Sequence, residues 1–442
     1  MKKTILSALV IIAIISCETE TKIDSQAKKD TQAFLDVYTS TFQELYYDSA
    51  EAEWAANTHI VEGDTLNAYN VQKANEAYAI FTGSKEVIKK TLALLEKKEE
   101  LDLVQVRQLE SILYSAANNP ETVSETVKQR ITAETAQNEA LFGFDFKVDG
   151  KSVSTGDIDG ILRESNDEAE RLKNWEASKE VGKNLKGGLE NLVKLRNETV
   201  QALGYDDYFS YQVSDYGMNR GEMMAEMKKM VQEVWPLYRE LHTWARYNLA
   251  DKYDANVPEY LPAHWLPNRW GQDWSAMVDV EGLDIDAALK DRDPEWIVKE
   301  GEDFFVSIGF DPLPKSFYEK SSMYPAPKDA DYKKNNHASA WHMNLENDLR
   351  CLMSIEPTAD YYETIHHELG HIYYYQAYSN PDVPVLLRGG ANRGYHEAIG
   401  SLLGFAAMQK PFLVGKGLVD ADSKVDQTQN LLKEALSNIV FL

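Results

Sequence analysis

Apolar residues first recur at helical spacing from Phe34, with Tyr38, Phe42 and Leu45 following every three or four positions. Charged amphipathic stretches of the same period run to about Asn118 and return across residues 161–202. Between them, Phe144–Val148 and Lys151–Ser154 flank Asp149-Gly150, which predicts a small hairpin closed by a type I′ turn. Met223, Met227, Met230, Val234, Leu237 and Leu241 then form a stripe at helical spacing, with a kink expected at Pro236. Such a methionine stripe predicts a core-facing helix rather than a cofactor surface. Alternation in His337–Met343 and Arg350–Ile355 predicts two strands around a turn at Asn344–Asp348. The final segment, Asn430–Leu442, is amphipathic and stops on Ile439-Val440-Phe441-Leu442 with no cap, leaving apolar surface in need of a partner. The fold class is therefore all-α, with one or two small β-hairpins.

At 442 residues and 43% hydrophobic, the chain can bury a large core, and no Ser/Gly-rich linker or internal repeat divides it. The formal charge of −25, with no basic cluster on a helical face, argues against nucleic acid and against anionic lipid headgroups as partners. At the N-terminus, Lys2 and Lys3 precede an apolar run, Ile5–Ile15, too short to span a bilayer. Ser16-Cys17 follows, a pair that resembles the processing site of bacterial lipoproteins. Residues 1–16 then read as a signal peptide, Cys17 as the acylated residue, and residues 17–32 as a polar tether. That reading makes the protein exported and membrane-anchored, on the periplasmic or cell-surface side. Only Cys351 remains, so no intrachain disulfide forms, and it reads as a small buried residue.

The chemistry concentrates in Tyr361–Gly400. His367-Glu368-Leu369-Gly370-His371 is an HExxH motif; on a helix, His367 and His371 share one face and can reach a single metal ion. Glu368 falls at the edge of that face, beside a water rather than obliged to ligate. Six of the nine histidines lie between His337 and His396. A catalytic zinc takes three protein ligands and keeps an open position. Glu397 supplies a candidate third, opening a second apolar segment after a loop rich in Gly, Pro and Asn. Upstream, Leu261–Trp274 is dense in aromatics around a buried-looking Gln272, and the strand beginning near His337 could pair with an extended peptide.

Together HHELGH, HEAIG, HASAW, LPAHWLPNRWGQDW and RGGANRGYHEAIG resemble the peptidyl-dipeptidase A family, that of angiotensin-converting enzyme. The resemblance spans residues 33–442 as one catalytic domain. It implies a two-lobed helical fold around a deep cleft, lidded by N-terminal helices, and removal of C-terminal dipeptides from oligopeptides. It also implies one Zn2+ per chain held by His367, His371 and Glu397, with Glu368 as general base. By the same resemblance His337 would hydrogen-bond the substrate carbonyl, the Ala338 backbone would pair with the peptide, and Gln272 would grip the terminal carboxylate.

Several positions depart from the family pattern. Ser401 stands where the family has an acidic partner for a zinc histidine, a loss expected to cost about ten- to a hundred-fold in affinity or activity. Gly389, Arg393 and Asn336 also differ, and Lys179 stands where animal members bind chloride through Arg, so chloride dependence is not assumed. The family domain is expected to continue beyond Leu442, which leaves a non-catalytic zinc- or peptide-binding lipoprotein as the alternative reading.

Overall fold

The computed structural model of the protein describes residues 25–61, 65–327 and 329–441; the expected signal peptide, Cys17 and the first part of the tether lie outside the described residues. Helix α1 (Gln26–Thr58) starts inside the stretch expected to be tether. The polar composition misled there, because these polar side chains are used. Ser25 Oγ caps the helix by accepting from the Lys28 N–H, and Ala27 and Thr31 are buried. Lys28 also pairs with Asp102 at 2.5 Å.

Four helices follow: α2 (Leu66–Thr82), α3 (Lys85–Leu95), α4 (Leu103–Ala117) and α5 (Ser124–Phe142). The periodic residues Tyr38 and Phe42 of α1 pack with Leu94, Leu109 and Ile112 into one apolar cluster. Strands β1 (Phe146–Val148) and β2 (Lys151–Val153) form the first hairpin. Its turn is of the expected type: Asp149 has φ 50° and Gly150 φ 78°. Next come α6 (Thr155–Glu164), α7 (Glu168–Lys179), α8 (Val181–Gln201), α9 (Tyr208–Ser214) and α10 (Arg220–Lys252).

Pro236 lies inside α10, as expected, but the methionine stripe does not face a core. Met227, Met230 and Leu237 are exposed, and burial begins only at Leu241. Helical periodicity shows which residues share a face, not whether anything covers that face; among the described residues nothing covers this one.

The part that builds the cleft follows. Helices α11 (Ile285–Leu289), α12 (Pro294–Ser307) and α13 (Lys315–Lys320) lead to β3 (Ser339–His342) and β4 (Leu349–Leu352). These strands pair antiparallel, Ser339 opposite Leu352 and His342 opposite Leu349. The chain then enters α14 (Ala359–Tyr378), α15 (Arg393–Ala407), α16 (Lys410–Gly415) and α17 (Gln427–Asn438). The largest apolar cluster lies beneath α14, where Ile365, Leu369 and Ile372 pack with Ile297 and Phe305 of α12 and Phe317 of α13. Cys351 sits in that cluster, fully buried and free, as its sequence context suggested. Burial of that face fixes α14 and turns its other side to the cleft.

At the far wall, Leu436, Ile439 and Val440 pack with Trp265 and Trp274, while Phe441 stays exposed. Apolar surface at this segment is therefore partly covered. Helix α1 reaches the β3–β4 hairpin through Glu51, which with Asp348 holds the buried Arg350. No helix among the described residues is long and apolar enough to cross a membrane.

Candidate metal centre and catalytic cleft

Thr358 caps α14 by accepting from the Tyr361 N–H at 3.3 Å, and Asp286 accepts from the Ala359 N–H at 2.6 Å. The helix so started presents His367 and His371 one turn apart on its cleft face. Their Nε2 atoms lie 3.0 Å from each other. The loop after α14 ends at Asn392, whose side chain caps α15 by accepting from the Tyr395 N–H at 2.8 Å. Arg393, one of the departures, hydrogen-bonds Gln212 of α9 and ties this helix start to a neighbour.

Glu397 therefore emerges in the second turn of α15. Its Oε2 stands 3.4 Å from His367 Nε2 and 3.7 Å from His371 Nε2. Ligands of a tetrahedral zinc, each about 2.1 Å from the ion, sit about 3.4 Å apart. Two nitrogens and an oxygen at these separations fit zinc. Among the described residues, this is the one His/Cys/Asp/Glu group arranged to hold a metal. Small residues make the approach possible: Gly370 and Gly400 lie where α14 and α15 cross, and Gly404 faces the backbone of α14.

The electrostatics suit a cation. Burial holds both imidazoles below the usual histidine range, so they are neutral with lone pairs available, although the Glu397 carboxylate opposes the shift. Glu368 is 6% exposed, and its Oε2 has no hydrogen-bond partner. Burial, reinforced by repulsion from Glu397, pushes its carboxyl up to about 8. A buried carboxyl with an unpaired oxygen is costly unless something in the cavity completes it.

The cleft itself has a volume of about 820 Å³, and His337, Ala338, Glu368, Tyr375, Ser401 and the three candidate ligands all line it. His337 is exposed to it, its backbone N–H held by Asn335 Oδ1 at 3.0 Å. Lys334 anchors the preceding segment by donating to the carbonyls of Tyr324 and Met353 at 2.7 and 2.5 Å. Among the described residues, β3 is paired only on the β4 side. Tyr375 Oη donates to the Ala340 carbonyl at 3.3 Å, joining this strand to α14.

Gln272 does not behave as the sequence suggested. It is exposed and absent from the cleft lining, whereas its neighbour Asp273 lines it. The aromatic density around it marked the burial of Trp265 and Trp274, not of the glutamine between them. Ser401 lines the cleft, but among the described residues no hydrogen bond joins it to His367 or His371. Instead His371 turns its second nitrogen to His396, a residue that sequence reasoning counted among the clustered histidines but gave no role. Also missed were Asp360 and Glu363, which line the cleft toward the start of α14. The spacing of Glu363, four residues before His367, could have flagged it.

A family model described as angiotensin-converting enzyme matches residues 25–442. The chain is 28% identical over 437 residues to the angiotensin-converting enzyme-like protein Ace3 of Mus musculus, covering 95% of this chain and 57% of that protein. It is 29% identical over 444 residues to angiotensin-converting enzyme of Rattus norvegicus, covering 93% of this chain and 32% of that protein. To the angiotensin-converting enzyme-related protein of Drosophila melanogaster it is 30% identical over 299 residues, covering 64% of this chain and 46% of the relative. The chain thus spans between 32% and 57% of the length of these relatives.

Proposed function

The chain belongs to the angiotensin-converting enzyme family of zinc metallopeptidases, and from that premise we propose that it is a peptidyl-dipeptidase releasing C-terminal dipeptides from oligopeptides. The observation that carries the reading is the convergence of His367, His371 and Glu397 beside the unpartnered Glu368 oxygen. Zinc held by those three residues would supply a Lewis acid that polarises the scissile carbonyl and acidifies water. Glu368 would take the proton of the attacking water and pass it to the departing amine.

The free edge of β3 would align an extended peptide through the Ala338 backbone, and His337 would donate to a substrate carbonyl. Support for Gln272 as the carboxylate grip rests on the family resemblance alone. We further propose export and lipid anchoring through Cys17, on the strength of Lys2, Lys3, the apolar run and Ser16-Cys17.

The test is Glu368→Gln, measured on a C-terminally free oligopeptide with and without chelator. The variant should bind one zinc and lose cleavage by several orders of magnitude. Release of single amino acids by the unaltered chain, or cleavage that survives chelation, would rule the assignment out.

A further inference from the structure

Between α13, which ends at Lys320, and β3, which begins at Ser339, the described residues form no helix. A segment without its own helix must be held from outside, and this one ends in His337 and Ala338 at the cleft. The β3–β4 ladder closes at Ser339 opposite Leu352, so both residues lie just beyond it. The next link to that strand comes from Lys334. Its Nζ donates at 2.5 Å to the carbonyl of Met353, one residue past the ladder. The same ammonium donates to the carbonyls of Ser322 and Tyr324 at 2.9 and 2.7 Å, and to Ser322 Oγ at 2.8 Å.

We propose that Lys334 is a positioning residue for peptide binding: its half-buried side chain fastens the arch that offers His337 and the Ala338 backbone to substrate. The proposal rests on the peptidase reading above and adds a residue that acts through the arch without touching the peptide. Asn335 pins the same foot of the arch to α1. Its N–H donates to the Asn57 carbonyl at 2.8 Å, and its Nδ2 to Asn57 Oδ1 at 3.0 Å. Asn335 Oδ1 in turn accepts from the His337 N–H at 3.0 Å. Only residues 336–338 then span the distance to the ladder.

An ammonium has three protons, and here four neutral oxygens share them. Burial acts without a compensating carboxylate and pushes Lys334 down to about 8. The segments it joins already hold each other. The Met353 N–H donates to the Ser322 carbonyl at 2.8 Å, and the Ile355 N–H to the Met323 carbonyl at 2.9 Å. Without the lysine that seam stands, and what is lost is its tie to the arch. The expected defect is therefore local, away from the zinc ligands on α14 and α15.

Zinc-loaded full chain is titrated with a labelled, C-terminally free oligopeptide, and KM and kcat are measured on the same peptide. Lys334→Met keeps the stem and removes the donors. It should weaken peptide binding and raise KM by about tenfold, while zinc affinity in a chelator competition stays as in wild type. Lys333→Met removes the same charge one residue away and should leave all of these unchanged. Lys334→Ala should lose the same peptide affinity and regain most of it in propylammonium, which can donate to the vacated oxygens. Tetramethylammonium, with no N–H, should restore nothing. Unchanged peptide affinity in Lys334→Met, even with a lowered melting temperature, would overturn the proposal, as would a parallel fall in zinc affinity. Equal loss in Lys333→Met, or equal rescue by tetramethylammonium, would do the same. Weaker binding in Lys334→Met with no turnover by any form would sink the peptidase reading and keep this one; full turnover with unchanged affinity would do the reverse.

Discussion

Gly370 of α14 and Gly400 of α15 meet backbone to backbone, so closely that a Cβ on Gly370 would lie 2.8 Å from the Gly400 Cα. A Cβ on Gly400 would in turn meet the His367 carbonyl at 3.0 Å and its ring at 3.1 Å. The crossing of these two helices sets the distance from Glu397 to both imidazoles. Neither HExxH nor HEAIG records that relationship.

Replacing Gly370 with alanine should therefore force the helices apart and pull Glu397 away from the histidines. Overpacking of this kind costs about 1–3 kcal/mol of stability. Zinc affinity, measured by competition with a chromogenic chelator, should fall by more than about tenfold, because ligand separation is tightly constrained. An unchanged affinity with an unchanged melting temperature would mean that the crossing relaxes at no cost.

The second nitrogen of His371 is 2.6 Å from Nδ1 of His396, whose Nε2 in turn lies 3.3 Å from Tyr378 Oη. Burial, with His371 and His342 nearby, pushes the His396 pKa down to about 4, so it is neutral at ordinary pH. A neutral His396 that donates to Tyr378 can accept from His371, which leaves the His371 Nε2 lone pair for zinc. His396→Ala should weaken zinc binding by about ten- to a hundred-fold, the usual effect of losing such an orienting group. His396→Asn, which retains an acceptor, should recover part of that loss in the same chelator competition.

His342 yields a prediction about pH. It is 7% exposed, with Nε2 against Ser379 Oγ at 3.0 Å and the Glu346 carbonyl at 3.3 Å. Tyr375 and Tyr378 flank its ring, and Arg388 adds a like charge. Burial pushes its pKa down to about 4. Between there and the ordinary value near 6.5, the unfolded chain binds a proton that the folded chain refuses. Stability thus falls as pH drops through that window, by roughly 3 kcal/mol from this residue, and is unaffected by it above the window. Denaturant titrations of wild type and His342→Gln at pH 7 and pH 4.5 should diverge in that sense, with the variant less sensitive to acid. Parallel curves would show that the imidazole is protonated in the folded protein.

Much of this molecule is readable from residue order alone. Periodicity located the helices from Phe34 onward, because burial of one face imposes a 3.6-residue repeat that needs no knowledge of the partner. Asp149-Gly150 specified a turn, because few residue pairs accept two positive φ values in succession. The HExxH spacing paired His367 with His371, because a helix brings positions four apart onto one face. Each of these follows from local geometry.

What the chain order could not show depends on contacts between segments far apart in sequence. The methionine stripe of α10 has the pattern of a buried face, yet nothing described covers it, and Gln272 stays exposed between buried tryptophans. The placement of Glu397 and the pairing of His371 with His396 both arise where separate elements pack together. Spacing along a helix or strand is fixed by covalent geometry and backbone hydrogen bonds. The meeting of α14, α15 and the Asp273 loop is decided instead by how their buried surfaces fit, and only the folded structure contains that fit.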